Sequence, residues 1–319
     1  MKGFSNRWTD FPDYIIGITK EIWEDRGVGT LNHYYSDDIP VRTPMGVAIG
    51  NQATIAATMA TINEFPDREL LGEDVIFSHS DAHGYLSSHR LLTKATHSRD
   101  GQFGPATGQK WVVRVIADCA AKDDVIYDEW LVRDYGGIVR QLGLNPRDYA
   151  AGLIAVEDGG TPVFTPAMDV EGDYKGTGND NAWGAKYAGI LKSVMDKDFT
   201  TINRDFDRAV IGEYAGATTS IGREGAMAFW VGLRSSFPNA TFKIHHQIGM
   251  DADMLSPRAA IRWSLDGLHV GWGSFGKPTG VPVHVMGMCH AEFGPWGLRR
   301  EYALYDEIAI WKQILMGAA

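Results

Sequence analysis

Two stretches of the chain carry the pattern that decides the fold: RLLTKATHSRDGQFGPATG at residues 90–108 and RWSLDGLHVGWGSFGKPTG at residues 262–280. They align without a gap at an offset of 172 positions. They share an arginine, a histidine, a phenylalanine, a threonine and three glycines. Self-similarity at a fixed offset is typical of a duplicated structural unit. We therefore infer that the chain contains two copies of one unit.

The alignment extends over residues 50–141 and 222–313. Further identical pairs are Gly50 and Gly222, Phe65-Pro66 and Phe237-Pro238, Asp81 and Asp253, Glu129 and Glu301, Asp134 and Asp306, and Gln141 and Gln313. Residues 144–185 have no counterpart and contain stretches rich in Gly, Pro, Asp and Asn, which is typical of irregular structure. The sequence thus predicts a domain at 1–143, a linker at 144–185 and a second domain at 186–319.

Each copy shows helical spacing first and strand-like stretches afterwards. Residues 14–36 and 49–65 have apolar positions or helix formers at helical spacing, and Pro66 ends the second helix. The expected strands in copy one are 69–80, 84–97, 110–119 and 125–135. Helices followed by a run of antiparallel strands predict an α+β fold, with a curved antiparallel sheet packed against two or three helices.

These residues also resemble a known family. Phe65-Pro66-Asp67, Ala95-Thr96-His97, the stretch from Phe103 to Gln109, and Glu129-Trp130 with Asp134 are similar to the SnoaL-like polyketide cyclases and ester cyclases. That family has the nuclear transport factor 2-like, ketosteroid isomerase-like fold. The resemblance implies two tandem cone-shaped domains, each with a cavity between sheet and helices. It implies an internal pseudo-dimer and leaves a further homo-oligomer open. It also implies that Asp134 is an acid/base.

The amino-acid composition limits the classes of molecule that the chain is expected to bind. The chain has 319 residues, 44% hydrophobic and 22% charged, with a net charge of −10. This acidic balance argues against contact with nucleic acid phosphates or an anionic membrane. No stretch of about 18 apolar residues predicts a membrane span. Cys119 and Cys289 are the only cysteines, which fits a reducing cytoplasm, and the first twenty residues lack the features of a secretory signal.

Asp134 and Asp306 are the first catalytic candidates, because each ends an apolar strand among aromatic residues. Such surroundings raise the pKa of a carboxyl group, which suits proton transfer. The alternative is that each aspartate caps the helix that follows. Glu129 and Glu301 lie five residues earlier. An odd spacing on a strand places them on the opposite face, so we expect them at the surface or between strands.

Arg90 with His97, and Arg262 with His269, form the second candidate group. Seven residues separate each pair, so one member of each is expected in the pocket and the other on the far face. A hydrogen-bonded histidine at a strand end, or an arginine paired with a core acid, is the structural alternative. Further candidates for substrate contact are Asp118, His290, Trp111, Trp130 and Tyr302.

A metal site is a weaker hypothesis. His79, Asp81 and His83 would share one strand face at period two, but their surroundings have the composition of a hairpin turn. The second copy retains only Asp253. Phosphate-binding motifs such as GxxxxGK[ST] are absent from the sequence. The sequence therefore predicts neither a metal nor an organic cofactor.

Together these patterns predict an acid/base enzyme that acts on a small organic substrate, as a cyclase, an isomerase or a dehydratase-like lyase. Asp134 would move the proton, and His97 or Arg90 would stabilise the developing oxyanion. Two alternatives stay open: a small-molecule-binding protein without turnover, and a metal-dependent hydrolase or lyase that uses His79, Asp81 and His83.

Overall fold

A computed structural model of the chain describes residues 1–318. The first group of elements, called copy one, comprises helices α1 (Phe11–Thr19), α2 (Leu31–Tyr34), α3 (Asn51–Glu64) and α4 (Tyr135–Gln141) and strands β1 (Pro40–Thr43), β2 (Gly46–Ile49), β3 (Glu69–Ser80), β4 (Gly84–Thr96), β5 (Lys110–Lys122) and β6 (Val125–Arg133). A π-helical turn, Lys20–Glu24, extends α1. Helix α5 (Pro146–Val156) follows copy one.

Copy two comprises helices α6 (Ala182–Met195), α7 (Thr200–Asp205), α8 (Arg223–Ser236) and α9 (Glu307–Ala318) and strands β7 (Phe206–Tyr214), β8 (Thr218–Ile221), β9 (Thr241–Met250), β10 (Arg258–Leu268), β11 (Pro282–Gly294) and β12 (Gly297–Tyr305). The offset of 172 residues maps α3 onto α8, and it maps β2, β5 and β6 onto β8, β11 and β12, with identical bounds. None of the described helices is long and apolar enough to cross a membrane.

Each copy forms one six-stranded sheet, and the strands follow in the same order: β2-β1-β6-β5-β4-β3 and β8-β7-β12-β11-β10-β9. The predicted α+β class is confirmed. The sheets are mixed rather than wholly antiparallel, because β1 pairs in parallel with β6 and β7 in parallel with β12. The β1–β2 hairpin at residues 40–49 was not predicted from the sequence. It places Val41 opposite Glu129.

Gly50 and Gly222 make the turn from the hairpin into the long helix of each copy. Their φ angles are 88° and 90°, in the left-handed region that glycine adopts without strain. A Cβ on Gly50 would lie 2.8 Å from the carbonyl oxygen of Asp37. The identity of this glycine in both copies therefore has a direct steric reason.

Side chains of the central strands alternate between two environments. In copy one, odd-numbered residues of β4, of β5 and of the second half of β6 face the helices, whereas even-numbered residues face copy two; a register shift at Ala120 reverses the order at Ile126 and Tyr127. Glu129 and Leu131 line a cavity beside α3, while Trp130 and Val132 belong to a cluster shared with copy two. This is the period of two that a pleated strand imposes. Both faces of the sheet are consequently buried.

We call the face of each sheet that points away from its own helices the outward face. The outward faces of the two sheets pack on each other. Their apolar contacts form a cluster of Ile116, Val132, Phe164, Met286, Met288, Tyr302 and Leu304. Polar groups lie within the same interface: Arg262 Nε donates to Asp118 Oδ2 at 3.0 Å, and the Arg262 guanidinium stacks 3.6 Å from the Trp130 ring. The interface is thus a buried layer that combines apolar packing with ion pairs: besides Arg262 and Asp118, Arg258 pairs with Asp74 and Arg114 with Glu213 across it.

The segment predicted as linker is tied to both copies. Lys312 of α9 bonds Glu157, just after α5, at 2.7 Å, and the Phe164 amide donates to the Pro44 carbonyl at 3.1 Å. Further on, the Tyr174 hydroxyl lies 2.7 Å from His246 Nε2. These contacts order residues 157–174 across the junction of the two sheets.

The enclosed pair of Arg262 and Asp118 yields a stability prediction. Arg262→Met should lower the free energy of unfolding by about 3–5 kcal/mol, because it leaves a buried carboxyl without its partner. The double variant Arg262→Met/Asp118→Asn should lose distinctly less than the sum of the two single variants. Urea denaturation of all four proteins measures this coupling. Strictly additive losses would contradict the account.

Candidate active site

Copy one contains a cavity of about 510 Å³ between α3 and the inward face of the sheet. Two smaller lobes, of about 40 and 30 Å³, share Arg68 and Arg133 with it. The apolar part of the wall is formed by Trp23, Val41, Met45, Val47, Ala53, Ala57 and Leu131. The exposed lining residues Ala57, Ala60, Asn63 and Gln102 mark its mouth.

The cavity exists because α3 presents small residues to the sheet. Ala57 and Thr58 line it, and Thr58 accepts a hydrogen bond from Trp23 Nε1 at 3.3 Å. The corresponding residues of α8, at the offset of 172, are Phe229 and Trp230. Trp230 is fully buried. Helix α3 therefore leaves a space above the sheet of copy one, whereas the equivalent helix α8 fills that space in copy two.

Glu129 of β6 is the acid of this cavity. Its side chain points inward, only 5% of the residue is exposed, and Oε2 has no hydrogen-bond partner. Burial raises the pKa of Glu129 to about 7, while the nearby Tyr35 hydroxyl and Arg133 oppose the shift. The expectation that Glu129 lies at the surface is wrong, because β1, β5 and α3 enclose this part of β6.

His89 of β4 lines the 40 Å³ lobe together with Glu129 and Arg68. Burial lowers the pKa of His89 to about 4, so the imidazole is neutral near pH 7. Its Nδ1 lies 3.1 Å from Ser87 Oγ, which also reaches the Cys119 carbonyl at 3.4 Å. Ser87 has one hydroxyl proton: donated to Nδ1, it places the ring proton of His89 on Nε2, and donated to the Cys119 carbonyl, it leaves Nδ1 as the donor.

Arg68 is positioned by the turn that ends α3. Phe65 leaves the helical region with φ −124° and ψ 72°, as expected for a residue before proline. The Arg68 amide then donates to the Phe65 carbonyl at 3.1 Å. The side chain is buried, and its Nε donates to Thr93 Oγ1 at 3.2 Å. Burial lowers the pKa of Arg68 to about 9, and the neighbouring Arg133 charge acts in the same direction.

Copy two retains the glutamate and loses its surroundings. Glu301 is fully buried and accepts hydrogen bonds from Tyr187 (3.0 Å), Tyr214 (2.8 Å) and Trp230 (3.1 Å). The residues at the positions of Arg68, His89 and Arg133 are Ala240, Ile261 and Tyr305. Glu301 is thus a satisfied core acid, whereas Glu129 faces an open cavity.

Asp134 and Asp306 lie at helix starts. Asp134 accepts from the amides of Gly137 (2.9 Å), Gly216 (2.8 Å) and Ala217 (2.6 Å), so it joins α4 to the β7–β8 turn of copy two. Asp306 accepts from Ile308 at 2.8 Å. Burial raises the pKa of Asp134 to about 6 and that of Asp306 to about 7. Neither residue lines the cavity that holds Glu129.

His97 and His269 occupy matching strand ends outside that cavity. His97 Nδ1 lies 3.1 Å from Thr107 Oγ1, and His269 Nδ1 lies 3.1 Å from Thr279 Oγ1. His97 Nε2 also lies 3.2 Å from Glu64. Trp111, in contrast, borders the 30 Å³ lobe. The repeated His–Thr pair has the same geometry in both copies, as a structural role would require.

The other predicted site residues meet in the interface between the sheets. They are Arg90, Asp118, Trp130, Arg262, His290 and Tyr302. Arg90 stacks 3.5 Å from the Tyr302 ring and donates to His290 at 3.1 Å. The sequence analysis named them as candidates for the pocket, and the structure places them together on one face of the sheets. That face is covered by the partner sheet, so these residues contact one another rather than the cavity beside α3.

The stretch considered for metal binding spans the end of β3 and the turn after it. His79 packs on Tyr85 with ring centroids 4.4 Å apart, and the His83 carbonyl accepts from Tyr127 at 2.6 Å. Within residues 1–318, no three His, Cys, Asp or Glu side chains are grouped so as to hold a metal ion.

Comparison of the two copies in the sequence could have identified the functional residues that the sequence analysis missed. Residues identical in both copies mark groups that both copies need for folding. Arg68, His89 and Thr58 differ between the copies, and these differences mark the copy that keeps a cavity. The arrangement combines a carboxyl of pKa about 7, a neutral imidazole and two guanidinium groups within an apolar wall. It can move a proton next to a developing negative charge.

The two glutamates should respond oppositely to removal. Glu301→Leu should lower the free energy of unfolding by about 2 kcal/mol or more, because three buried donors lose their acceptor. Glu129→Leu should leave stability unchanged or raise it near pH 8. The folded protein holds the Glu129 proton up to pH about 7, whereas the unfolded chain releases it near 4.5, so this carboxyl weakens the fold as pH rises through that window.

Thermal and urea unfolding at pH 5 and pH 8 test this pair. A Glu129→Leu protein less stable than Glu301→Leu at pH 8 would contradict the assignment of the two environments.

No protein family model matches the chain, and no curated protein matches it in sequence. Among solved structures, IdmH of Streptomyces antibioticus, a candidate polyketide cyclase, is 20% identical over 42% of this chain and 98% of that chain, with a TM-score of 0.37. TsrD of Streptomyces laurentii is 20% identical over 41% and 93%, with a TM-score of 0.35.

A candidate SnoaL-like polyketide cyclase from Shewanella denitrificans OS-217 is 20% identical over 42% of this chain and 98% of that chain, with a TM-score of 0.34. Each of these matches spans about two-fifths of the chain. The structures that match this chain include SnoaL-like polyketide cyclases, as the sequence resemblance predicted.

Proposed function

We propose that the chain is an acid/base enzyme of the cyclase, isomerase or dehydratase-like lyase type, and that its reaction takes place in the copy-one cavity. The observation that carries the proposal is Glu129, a buried carboxyl of pKa about 7 with one unpartnered oxygen on that cavity. A proton-transfer group works best when its pKa lies near the working pH. The unpartnered oxygen of Glu129 is left free to accept a proton from a ligand in the cavity.

In the proposed reaction, ionised Glu129 removes a proton from a carbon next to a carbonyl group. The electrons of the C–H bond become those of an enolate, whose oxygen accepts a hydrogen bond from His89 Nε2. Glu129 then returns the proton to another atom, which yields an isomer. Alternatively, the enolate carbon attacks a second carbonyl and closes a ring; the C=O π electrons of that carbonyl become an alkoxide, which takes the proton from Glu129. The apolar wall keeps bulk water from competing for these charges.

Copy two has a supporting role in this proposal. The three donors on Glu301 stabilise its ionised form but leave no oxygen for a substrate. Phe229 and Trp230 occupy the helix positions that are Ala57 and Thr58 in copy one. Its sheet instead covers the outward face of the copy-one sheet, and its β7–β8 turn holds Asp134.

Hydrogen exchange at carbon tests the proposal before the natural substrate is known. Wild type should accelerate exchange of α-protons into D2O, followed by ¹H NMR, for at least one of acetylacetone, ethyl acetoacetate and levulinate. Glu129→Gln should lower the accelerated rate by about 10²–10⁴-fold, the usual contribution of a positioned proton-transfer group. Glu301→Gln is the matched control and should retain the activity.

The sequence-based assignment of the acid/base to Asp134 stays a prediction, and the same assay distinguishes it. Asp134→Asn should preserve exchange and lower the melting temperature, because this side chain accepts three amide hydrogen bonds. Loss of exchange in Asp134→Asn with full activity in Glu129→Gln would transfer the role to Asp134. Ligand binding without acceleration of exchange by any probe would favour a binding protein.

The rate of this exchange should also depend on pH. As a base, Glu129 must be ionised, so kcat/KM should rise with pH and level off above its pKa of about 7. The Glu301→Gln variant should show the same profile. A profile that falls between pH 6 and pH 8 would contradict the role of Glu129 as the base.

A further inference from the structure

Arg68 differs from the other buried arginines of the protein. Arg42, Arg90 and Arg262 each pair with a carboxylate, namely Asp128, Glu73 and Asp118. Arg234 is bound by three backbone carbonyl oxygens. The Arg68 side chain donates only from Nε to Thr93, and among residues 1–318 no carboxylate oxygen lies within 4.0 Å of its nitrogens.

A buried cation without a counter-charge is costly, because burial removes the water that stabilises it. Arg68 is only 7% exposed, and its pKa is lowered rather than raised, by burial and by the charge of Arg133. Both arginines line the main cavity and both smaller lobes. The guanidinium nitrogens other than Nε therefore face a space that an anion could occupy.

The charged groups of the cavity favour an anionic ligand beside Arg68. Arg68 and Arg133 contribute two positive charges, and Glu129 and Glu64 line the same cavity. The two oxygens of Glu64 accept from the amides of Gln102 and Phe103 at 2.9 Å, so the Arg68 guanidinium has no carboxylate of its own and could take the negative charge of a ligand. The planar fork of a guanidinium matches the two oxygens of a carboxylate. The remaining wall combines apolar residues, among them Trp23, Val41 and Leu131, with threonine and tyrosine side chains. At about 510 Å³, the cavity lies within the range of about 300–1,000 Å³ that takes drug-sized ligands.

We propose that the ligand of this cavity is an organic monocarboxylate, with its carboxylate bound by Arg68 and Arg133 and its apolar body packed under α3. This inference deepens the proposed function and rests on it for the reaction of the bound acid. If Glu129 removes a proton from this ligand, the substrate is a keto acid. The carbon that loses the proton then lies a few bonds from the carboxylate. Since Arg68 and Glu129 line the same cavity, such a substrate would reach from one to the other.

Copy two supports this assignment by contrast. There, Ala240 and Tyr305 stand at the positions of Arg68 and Arg133, and Trp230 stands at the position of Thr58. The two cations and the space are absent together, while the glutamate remains. Copy two folds with the same strand order, so the fold does not require a cation at these positions.

Isothermal titration calorimetry with matched neutral ligands tests the proposal. The probes are benzoate, trans-cinnamate and 2-naphthoate, each compared with its primary amide, and inorganic phosphate. At least one carboxylate should bind wild type ten-fold or more tightly than its amide. Arg68→Met should abolish this difference, and Arg208→Met, an exposed arginine of copy two, is the control and should leave it intact. Thr58→Trp, which copies α8, should abolish binding of both members of each pair.

Three results would overturn the proposal: equal binding of carboxylate and amide for every pair, unchanged preference in Arg68→Met, or tighter binding of inorganic phosphate than of any carboxylate. If Arg68→Met does not fold, the comparison of acid with amide in wild type and Thr58→Trp still decides. Glu129→Gln separates this inference from the proposed function, because it should lose proton exchange yet retain or strengthen carboxylate binding.

Discussion

The packing of the two sheets through their outward faces is the constraint on which the rest of the structure depends. A pleated strand presents alternate side chains to opposite sides, and here both sides of each central sheet are buried. One side meets the partner sheet through apolar residues and the enclosed pair of Arg262 and Asp118. The cavity of about 510 Å³ that holds Glu129 lies on the other side, beneath the long helix, whereas spaces of about 270 and 350 Å³ open between the two copies. Every functional argument follows from this division of the sheet into two faces.

The two copies use the same division for different ends. Glu129 and Glu301 stand at matching positions, are both buried, and both have a pKa raised to about 7 by burial. Three donors and the ring of Trp230 enclose Glu301, so its position stabilises a core. Thr58 leaves space above Glu129, and that carboxyl is held in an unfavourable environment. A fold in which one copy supplies packing can tolerate such a destabilised group in the other.

Local patterns in the sequence predicted much of the fold. The strands at 69–80 and 84–96 match the expected bounds closely, and Pro66 does end α3. The β1–β2 hairpin was missed, because strands of four residues are too short to show a period. The candidate residues were harder. The alternation of side chains along β4 correctly separated Arg90 from its odd-numbered neighbours. His89, which faces the cavity, was nevertheless not selected, because copy two has Ile261 in its place.

By itself, the sequence determined the repeated unit with its offset of 172 residues, the α+β order of elements and the sets of residues that share a strand face. The tertiary structure alone decided which face meets the partner sheet and which faces a cavity. The physical reason is that both faces are buried and both carry apolar and charged residues, so the alternation looks the same from either side. The sequence gives the sizes of Thr58 and Trp230 but not their effect. Only the folded structure places each of them over a glutamate, so that Thr58 leaves Glu129 open to the cavity and Trp230 covers Glu301.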